Sequence, residues 1–257
     1  MTTTMLKKLT AAIFLITASM HANAAVVRID AAAFTPQAGL ITFSELAVGT
    51  ANPVYTAAMY GGGITAPTVS FGSYFTGQSI DANTCAPGAA PTGCVTGTAT
   101  GALSLASDAA GAFIAEDGAN PTSPVLSGTP TYNGPIAILF NIGLAAVGLD
   151  GGYFNGIGGT SITAFARDGA ILGTISNQGL GIEFLGLATQ DGSETIAGLL
   201  FSLTGDEPAG FAIDNVRFGT IGQVIIPGND VPEPSSIALA VAAMAALAMA
   251  RRRGSSN

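Results

Sequence analysis

The chain has 257 residues and a formal net charge of −8, with eight Lys and Arg in total, one His and no Trp. Between residues 25 and 230, three Arg stand against fifteen carboxylates without any Lys or His, which gives this part a net charge of −12. So few cations exclude a basic surface for nucleic acid. The missing His and Lys remove the commonest general bases and amine nucleophiles, so we expect a non-catalytic protein.

The first 24 residues have the three parts of a secretory signal peptide. Lys7 and Lys8 form a basic start, an apolar run covers residues 9–16, and residues 22–24 read Ala-Asn-Ala. This order predicts export by the Sec route and cleavage after Ala24. An uncleaved N-terminal anchor is the alternative, which the short apolar run disfavours.

Residues 25–230 are long enough for one extracellular domain with a single core. The strand candidates, each rich in β-branched, aromatic or small residues, are 41–43, 69–71, 136–142, 161–167, 171–175, 183–187, 195–203 and 211–218. The pairs Asp150-Gly151, Asp168-Gly169 and Asp191-Gly192 indicate tight turns. With 35 Gly and 13 Pro, this pattern predicts an all-β fold, an antiparallel β-sandwich of jelly-roll type. A β-solenoid is the alternative, although no fixed repeat is visible.

Cys85 and Cys94 are the chain's two cysteines and flank a stretch rich in loop-forming residues. In an oxidising compartment outside the cell, such a pair predicts a disulfide that closes the loop. A redox or metal pair is the alternative, but two thiols without His make a poor zinc site.

Residues 231–257 combine a stiff segment, an apolar run and a basic end. In order, these are Pro232, Glu233 and Pro234, the apolar residues 237–250, and Arg251, Arg252 and Arg253. The prolines favour an extended backbone that a processing enzyme can reach. The apolar run predicts a single transmembrane helix, and the arginines hold its end on the cytoplasmic side.

This tail resembles the PEP-CTERM sorting signal of Gram-negative bacteria. The resemblance implies processing by an exosortase-type enzyme while the C-terminal helix is in the inner membrane. It also implies delivery to the cell surface or the extracellular matrix, often alongside exopolysaccharide in a biofilm. A plain anchor that is never cut is the alternative.

Residues 213–216, Ile-Asp-Asn-Val, resemble the last strand of jelly rolls of the carbohydrate-binding-module type. That resemblance implies a structural calcium ion held by Asp214 together with a carboxylate of an early strand, for which Glu45 is the candidate. Otherwise Asp214 caps a turn or pairs with Arg217 or Arg167, and Glu45 is solvated.

Exposed aromatic rings usually bind sugars in such folds, and this domain has tyrosines but no Trp. The tyrosines in loop-like sequence are Tyr55, Tyr60, Tyr74 and Tyr132, and Tyr153 lies beside a predicted turn. A Tyr at such a place more often closes the rim of the core, so sugar binding is permitted and not indicated.

A carboxylate-dependent enzyme acting on polysaccharide is the alternative function. Glycoside hydrolysis needs only a pair of carboxyl groups. The candidate acids are Glu116, Asp117, Glu183 and Glu194. Several of these lie next to Gly in sequence that is typical of turns, where acids usually cap or solvate.

Overall fold

The computed structural model describes residues 25–118, 123–208 and 210–227, and nearly all of its regular structure is β-strand. Three short 3-10 helices accompany the strands: Ala31–Ala33, Ala57–Tyr60 and Ala82–Thr84. The predicted signal peptide, the sorting tail and the predicted domain end at residue 230 lie outside the described residues. Within the described ranges, no helix has the length and apolar character needed to cross a membrane.

Fifteen strands are seen in these ranges. They are β1 (Val26–Arg28), β2 (Gly39–Ile41), β3 (Val54–Tyr55), β4 (Val69–Gly72), β5 (Gln78–Ile80), β6 (Val95–Gly97), β7 (Ala112–Glu116), β8 (Pro124–Gly128), β9 (Ile136–Leu144), β10 (Ala146–Phe154), β11 (Thr160–Phe165), β12 (Ile171–Ser176), β13 (Gly181–Thr189), β14 (Ile196–Leu203) and β15 (Ala212–Gly219).

The strands form two large antiparallel sheets and one small hairpin. The first sheet has the order β1-β13-β10-β15-β8-β7, and β2 pairs with the far half of β15. The second sheet has the order β12-β11-β14-β9-β4-β3, while β5 pairs with β6. Along β15, Ile213, Val216 and Phe218 belong to the core. Asp214, Asn215 and Arg217 are only partly buried, as expected for a sheet with one face on the core.

The chain from β8 to β15 follows jelly-roll topology. The first sheet contains the order β8-β15-β10-β13 and the second contains β9-β14-β11-β12. Successive strands therefore cross from one sheet to the other, except for the β11–β12 hairpin, as in the eight-stranded jelly roll. The predicted antiparallel β-sandwich of jelly-roll type is confirmed, and the solenoid alternative is not observed.

The core lies between the two sheets. Leu149 and Phe218 of the first sheet pack in the same buried cluster as Phe140 and Leu199 of the second. Each of these side chains is at most 1% exposed. Burying one such side chain stabilises the fold by about 1.5–3 kcal/mol. The core therefore fixes the register of β10 and β15, the strands that carry the site below.

The predicted turn at Asp150-Gly151 is wrong, because both residues lie within β10. A side chain at Gly151 would place its Cβ only 2.6 Å from the ring of Phe154. The glycine thus allows close packing inside a strand rather than a tight turn. The other two predicted turns are confirmed, with Gly169 and Gly192 at positive φ between consecutive strands.

The predicted disulfide is present between Cys85 and Cys94, whose Cα atoms are 5.4 Å apart. The loop that it closes contacts the domain through its backbone. Ala90 N donates to the Glu207 carbonyl at 2.8 Å, and the Gly93 carbonyl accepts from Leu203 N at 3.1 Å. The disulfide loop is therefore joined to the end of β14 and to the connection before β15.

Candidate functional site

A cavity of about 480 Å³ opens on the outer face of the first sheet. We call it the outer cavity. Leu149 and Ile213 point into the core, so their neighbours Asp150 and Asp214 point outward, since adjacent strand residues face opposite sides. The described residues that line the outer cavity are Asp117, Gly118, Val125, Tyr132, Asp150, Gly151, Gly152, Tyr153, Ile182, Gly210, Ala212, Ile213, Asp214 and Asn215.

A bulge between β10 and β15 shapes the polar wall of this cavity. Asp150 and Asp214 are opposite each other in the ladder, and the register shifts between Gly148 and Asp150. Asn215 adopts the left-handed region at φ 47°, which Asn tolerates better than most residues. A bulge re-aims side chains, and here it brings the Asn215 amide against both carboxylates.

The Asn215 amide links the two carboxylates directly. Its Nδ2 donates to Asp150 Oδ2 at 2.8 Å and to Asp214 Oδ2 at 3.3 Å. The backbone N–H of Asn215 donates to Asp214 Oδ1 at 2.7 Å, and Ser123 Oγ donates to Asp214 Oδ2 at 3.4 Å. The polar wall is thus held in one arrangement by hydrogen bonds from its own strand and from the start of β8.

Burial raises the pKa of Asp214 to about 6. This value is the balance of several effects: the hydrogen bonds from Asn215 and Ser123 lower the pKa, and the negative charges of Asp150 and Asp117 add to the rise caused by burial. Desolvation and like charges both disfavour the ionised form of a carboxyl group. Asp214 therefore changes its charge near neutral pH.

Two tyrosines form the aromatic wall. Tyr153 is 56% exposed, and one of its ring atoms lies 3.6 Å from the position that a Cβ on Gly181 would take. Tyr153 N donates to the Gly210 carbonyl at 2.9 Å, and Gly210 N donates to the Tyr132 carbonyl at 2.9 Å. The Tyr132 hydroxyl donates to the Glu116 carbonyl. The ring of Tyr153 is consequently exposed on a backbone that is fixed by hydrogen bonds.

A second cavity, of about 770 Å³, offers less for a ligand. Gln223 Nε2 donates to the Gln37 carbonyl at 2.8 Å, and Glu194 accepts from Ile221 N at 2.8 Å. The Tyr60 hydroxyl donates to the Pro67 carbonyl. Tyr60 is also less exposed than Tyr153. The outer cavity, which has an exposed aromatic ring beside its polar groups, is therefore the better candidate site.

The predicted calcium ligands, Glu45 and Asp214, have different hydrogen-bond partners in the structure. Glu45 is exposed after β2, and its Oε1 accepts from Thr42 Oγ1 at 2.9 Å and from Thr42 N at 3.3 Å. Both oxygens of Asp214 accept from Asn215 or Ser123, as described above. N–H and O–H groups therefore donate hydrogen bonds to both carboxylates, and neither carboxylate needs a metal ion to have partners. Among the described residues, no group of three or more His, Cys, Asp and Glu is arranged to hold a metal.

Apart from the adjacent Glu116 and Asp117, the acids considered for catalysis lie in different parts of the fold. Glu183 forms an ion pair with Arg28 at 3.2 Å and also accepts from Gly179 N at 2.7 Å. Glu194 accepts from the backbone beyond β15, as noted above. Glu116 ends β7, and Asp117 follows it at the rim of the outer cavity. The acid pair that the fold does create, Asp150 with Asp214, was missed because Asp150-Gly151 has the sequence of a turn.

One family model matches the chain. Residues 230–253 match the PEP-CTERM protein-sorting motif. The match contains the predicted sorting residues Pro232, Glu233, Pro234, Arg251, Arg252 and Arg253. No curated protein and no solved structure matches the chain.

The chain therefore carries a PEP-CTERM sorting motif, and the resemblance stated from the tail is confirmed. The motif marks an exported protein that is held at the membrane before an exosortase-type enzyme sorts and processes it. With the β-sandwich, it defines the class: an exported β-sandwich protein with a C-terminal sorting signal.

Proposed function

We propose that this protein is a non-catalytic component of the cell surface or extracellular matrix that binds glycan in the outer cavity. The observation that carries the proposal is the exposed ring of Tyr153 beside the hydrogen-bonding groups of Asp150 and Asn215. A sugar ring has an apolar face of C–H groups and an edge of hydroxyl groups. An aromatic ring next to fixed polar groups is complementary to both.

The size and rigidity of the outer cavity support a glycan ligand. Its volume of about 480 Å³ lies within the range of small-molecule sites, roughly 300–1,000 Å³. Its polar groups lie on β10 and β15, strands whose inner faces belong to the core. Sites on rigid elements lose less entropy on binding than sites on loops.

Association with exopolysaccharide in a biofilm is part of this proposal. The sorting motif supports it by directing the protein to the outside of the cell. The absence of His and Lys between residues 25 and 230 supports a non-catalytic role. Binding of glycan without turnover is the behaviour expected of such a component.

The test compares binding of host exopolysaccharide to the processed protein and to variants of Tyr153. Tyr153→Ala removes the ring and is expected to weaken binding at least tenfold, because stacking on the ring is lost. Tyr153→Phe keeps the ring and is expected to retain most of the affinity. Ile64→Ala, at a fully exposed residue outside the lining, is the control. Equal affinity for all four proteins would refute glycan binding in the outer cavity.

The second candidate function is a carboxylate-dependent enzyme acting on polysaccharide. The pKa of about 6 at Asp214, beside Asp150, favours it. Two carboxyl groups with different protonation can act as acid and base in glycoside hydrolysis. The test is release of reducing ends from host glycan. Release that disappears in both Asp150→Asn and Asp214→Asn would establish catalysis and refute the non-catalytic proposal.

Structural calcium held by Glu45 and Asp214 remains a separate proposal that rests on ligand type. Its test is the melting temperature with calcium and with a chelator, measured for the wild type, Glu45→Gln and Asp214→Asn. A rise with calcium that both variants lose would support it. No step of the glycan proposal depends on the ion.

A further inference from the structure

We infer that the outer cavity selects a glycan with free amino groups, an unacetylated amino-sugar polymer, over neutral and uronic acid glycans. This inference rests on the proposed function, because it assumes that a glycan occupies the outer cavity. The exposed ring of Tyr153 and the volume of the outer cavity support binding of a sugar. The charges on its polar wall then decide which glycan fits.

The ionisable side chains of the polar wall are carboxyl groups. Asp150 and Asp214 face each other across β10 and β15, and Asp117 approaches from the β7–β8 connection. Among the described lining residues there is no Lys, Arg or His. A uronic acid would bring a further negative charge to this wall, and like charges in a partly desolvated site disfavour binding.

No arginine lines the outer cavity among the described residues. Arg28 pairs with Glu183 and donates to the Ser176 carbonyl. Arg167 donates to the Phe140 carbonyl at 2.5 Å, in the second sheet. Arg217 is on β15 beyond the bulge, paired with Gly148 in the ladder and outside the lining of the cavity. A positive charge at the polar wall therefore has to come from the ligand.

The numbers of hydrogen-bond acceptors and donors on the polar wall also favour a ligand with amino groups. An ionised carboxylate only accepts hydrogen bonds, and each oxygen has two lone pairs. Asp150 and Asp214 together have four carboxylate oxygens. The described groups that donate hydrogen bonds to them are the Asn215 amide, the Asn215 backbone N–H and the Ser123 hydroxyl. The wall thus has more acceptor capacity than donors.

An ammonium group supplies what the wall lacks. It has three N–H donors and a positive charge, whereas a hydroxyl group has one donor and no charge. Charge-assisted hydrogen bonds are roughly twice as strong as neutral ones. A single amide nitrogen already contacts both Asp150 and Asp214, at 2.8 and 3.3 Å. An amino group entering from the cavity can bond to the same two carboxylates, while the apolar face of its sugar ring packs on Tyr153.

The protonation of the wall gives this ligand a distinct pH profile. The groups that face Asp214 are Asp150, Asp117, Ser123 and Asn215. Burial raises the pKa of Asp214 to about 6. Ionisation of Asp214 between pH 5 and pH 6 adds a negative charge while the ligand's amino groups are still mostly protonated, so affinity for an ammonium ligand is expected to rise over that interval. Affinity for a neutral sugar is expected to change less than twofold.

The experiment is calorimetric titration of the processed protein with four oligosaccharides of equal length in buffer that contains chelator. The ligands are oligomers of glucosamine, N-acetylglucosamine, glucose and galacturonic acid. We expect the glucosamine oligomer to bind at least tenfold more tightly at pH 6 than its acetylated counterpart, and the galacturonic acid oligomer to bind most weakly.

Three variants separate a specific contact from general attraction to an acidic protein. Asp150→Asn and Asp214→Asn are each expected to reduce affinity for the glucosamine oligomer about tenfold, with less than twofold change for the acetylated oligomer. Asp206→Asn removes the same charge from an exposed residue outside the lining and is expected to have little effect. An equal loss in Asp206→Asn would overturn the inference.

The failures of the two proposals are distinguishable in the same titrations. If neutral oligomers bind as tightly as the glucosamine oligomer and Tyr153→Ala abolishes both, the amino-sugar inference is wrong and glycan binding stands. If none of the four oligomers binds, or if Tyr153→Ala changes none of the affinities, glycan binding in the outer cavity is wrong and the inference falls with it.

Discussion

The buried carboxylate of Glu207 accepts hydrogen bonds from Asn155 twice, from the backbone N–H at 2.8 Å and from the side-chain Nδ2 at 3.0 Å. Gly156 N adds a third hydrogen bond, at 3.3 Å. The carbonyl of Glu207 accepts from Ala90 N in the disulfide loop. One fully buried residue thus joins the connection after β10, the connection before β15 and the disulfide loop.

Glu207→Ala is expected to reduce the free energy of unfolding by about 2–3 kcal/mol, because it removes the carboxylate that accepts from the backbone N–H groups of Asn155 and Gly156. Urea denaturation measures this change. Asp206→Ala, at the exposed neighbouring residue, is the control and is expected to change stability by less than about 0.5 kcal/mol. Equal stability of the two variants would show that the buried carboxylate does not hold these connections together.

The Cys85–Cys94 disulfide is expected to stabilise the domain by about 2–3 kcal/mol, because it restricts the unfolded chain. Adding a reductant should lower the urea midpoint of the wild type. The double variant Cys85→Ser, Cys94→Ser should have the lower midpoint from the start and should not respond to reductant. A response of the double variant would mean that reductant acts elsewhere.

The features that were predicted from sequence depend on residues close together in the chain. The Cys85 and Cys94 pair, the Asp168-Gly169 turn and the sorting tail are all local patterns, and the structure or the family match confirms them. The all-β class follows from many short apolar segments with turn residues between them. Such local patterns can be predicted without knowing which strands pair with each other.

The outer cavity could not be predicted, because it depends on strand register. Asp150-Gly151 has the local sequence of a turn, yet the core side chains of β10 keep it within the first sheet. Asp150 meets Asp214, 64 positions later, only through the pairing of β10 with β15. The bulge that turns Asn215 toward both carboxylates has no signature in one sequence, although Asn is among the residues that tolerate positive φ.

Gly143→Ala is expected to reduce the free energy of unfolding by about 1–3 kcal/mol, because the added methyl group forces the backbone apart. The new Cβ would lie 2.0 Å from the Glu194 carbonyl oxygen, where β9 runs beside the start of β14. Gly63→Ala is the matched control, since nothing lies within 4 Å of its Cβ position. Thermal denaturation of both variants checks the prediction. Equal melting temperatures would show that β9 and β14 can separate without cost.

The stability of the domain is expected to fall as pH rises from about 4 to about 6. Burial raises the pKa of Asp214 from 3.8 to about 6, so the folded state binds its proton more tightly than the unfolded state in this interval. Stability decreases with pH wherever the folded state holds more protons. After allowance for solvent screening of a partly exposed carboxyl group, the contribution is about 1 kcal/mol.

Urea denaturation between pH 4 and pH 7 measures this contribution as the difference between the wild type and Asp214→Asn. The variant lacks the titrating group, so its stability relative to the wild type should increase across the interval. Asp191→Asn is the control of opposite sign, because hydrogen bonds from Ser193 lower the pKa of Asp191. Its effect should appear as pH falls below about 4. A constant difference between the wild type and Asp214→Asn would contradict the raised pKa.

Processing of the tail is expected to require the stiff segment at Pro232, Glu233 and Pro234. Each proline fixes its own φ and disfavours helix at the preceding residue, so these three residues are expected to favour an extended backbone that the processing enzyme can reach. Intact mass and terminal sequencing of the protein from its host should show a start at Ala25 and an end near residues 232–234. Replacing the three residues by Ala should leave residues 237–257 attached. Ser235→Ala, in the adjoining residue, should be processed as the wild type is. If the wild type itself retained residues 237–257, the tail would act as a permanent anchor, and the β-sandwich domain would remain tethered to the membrane.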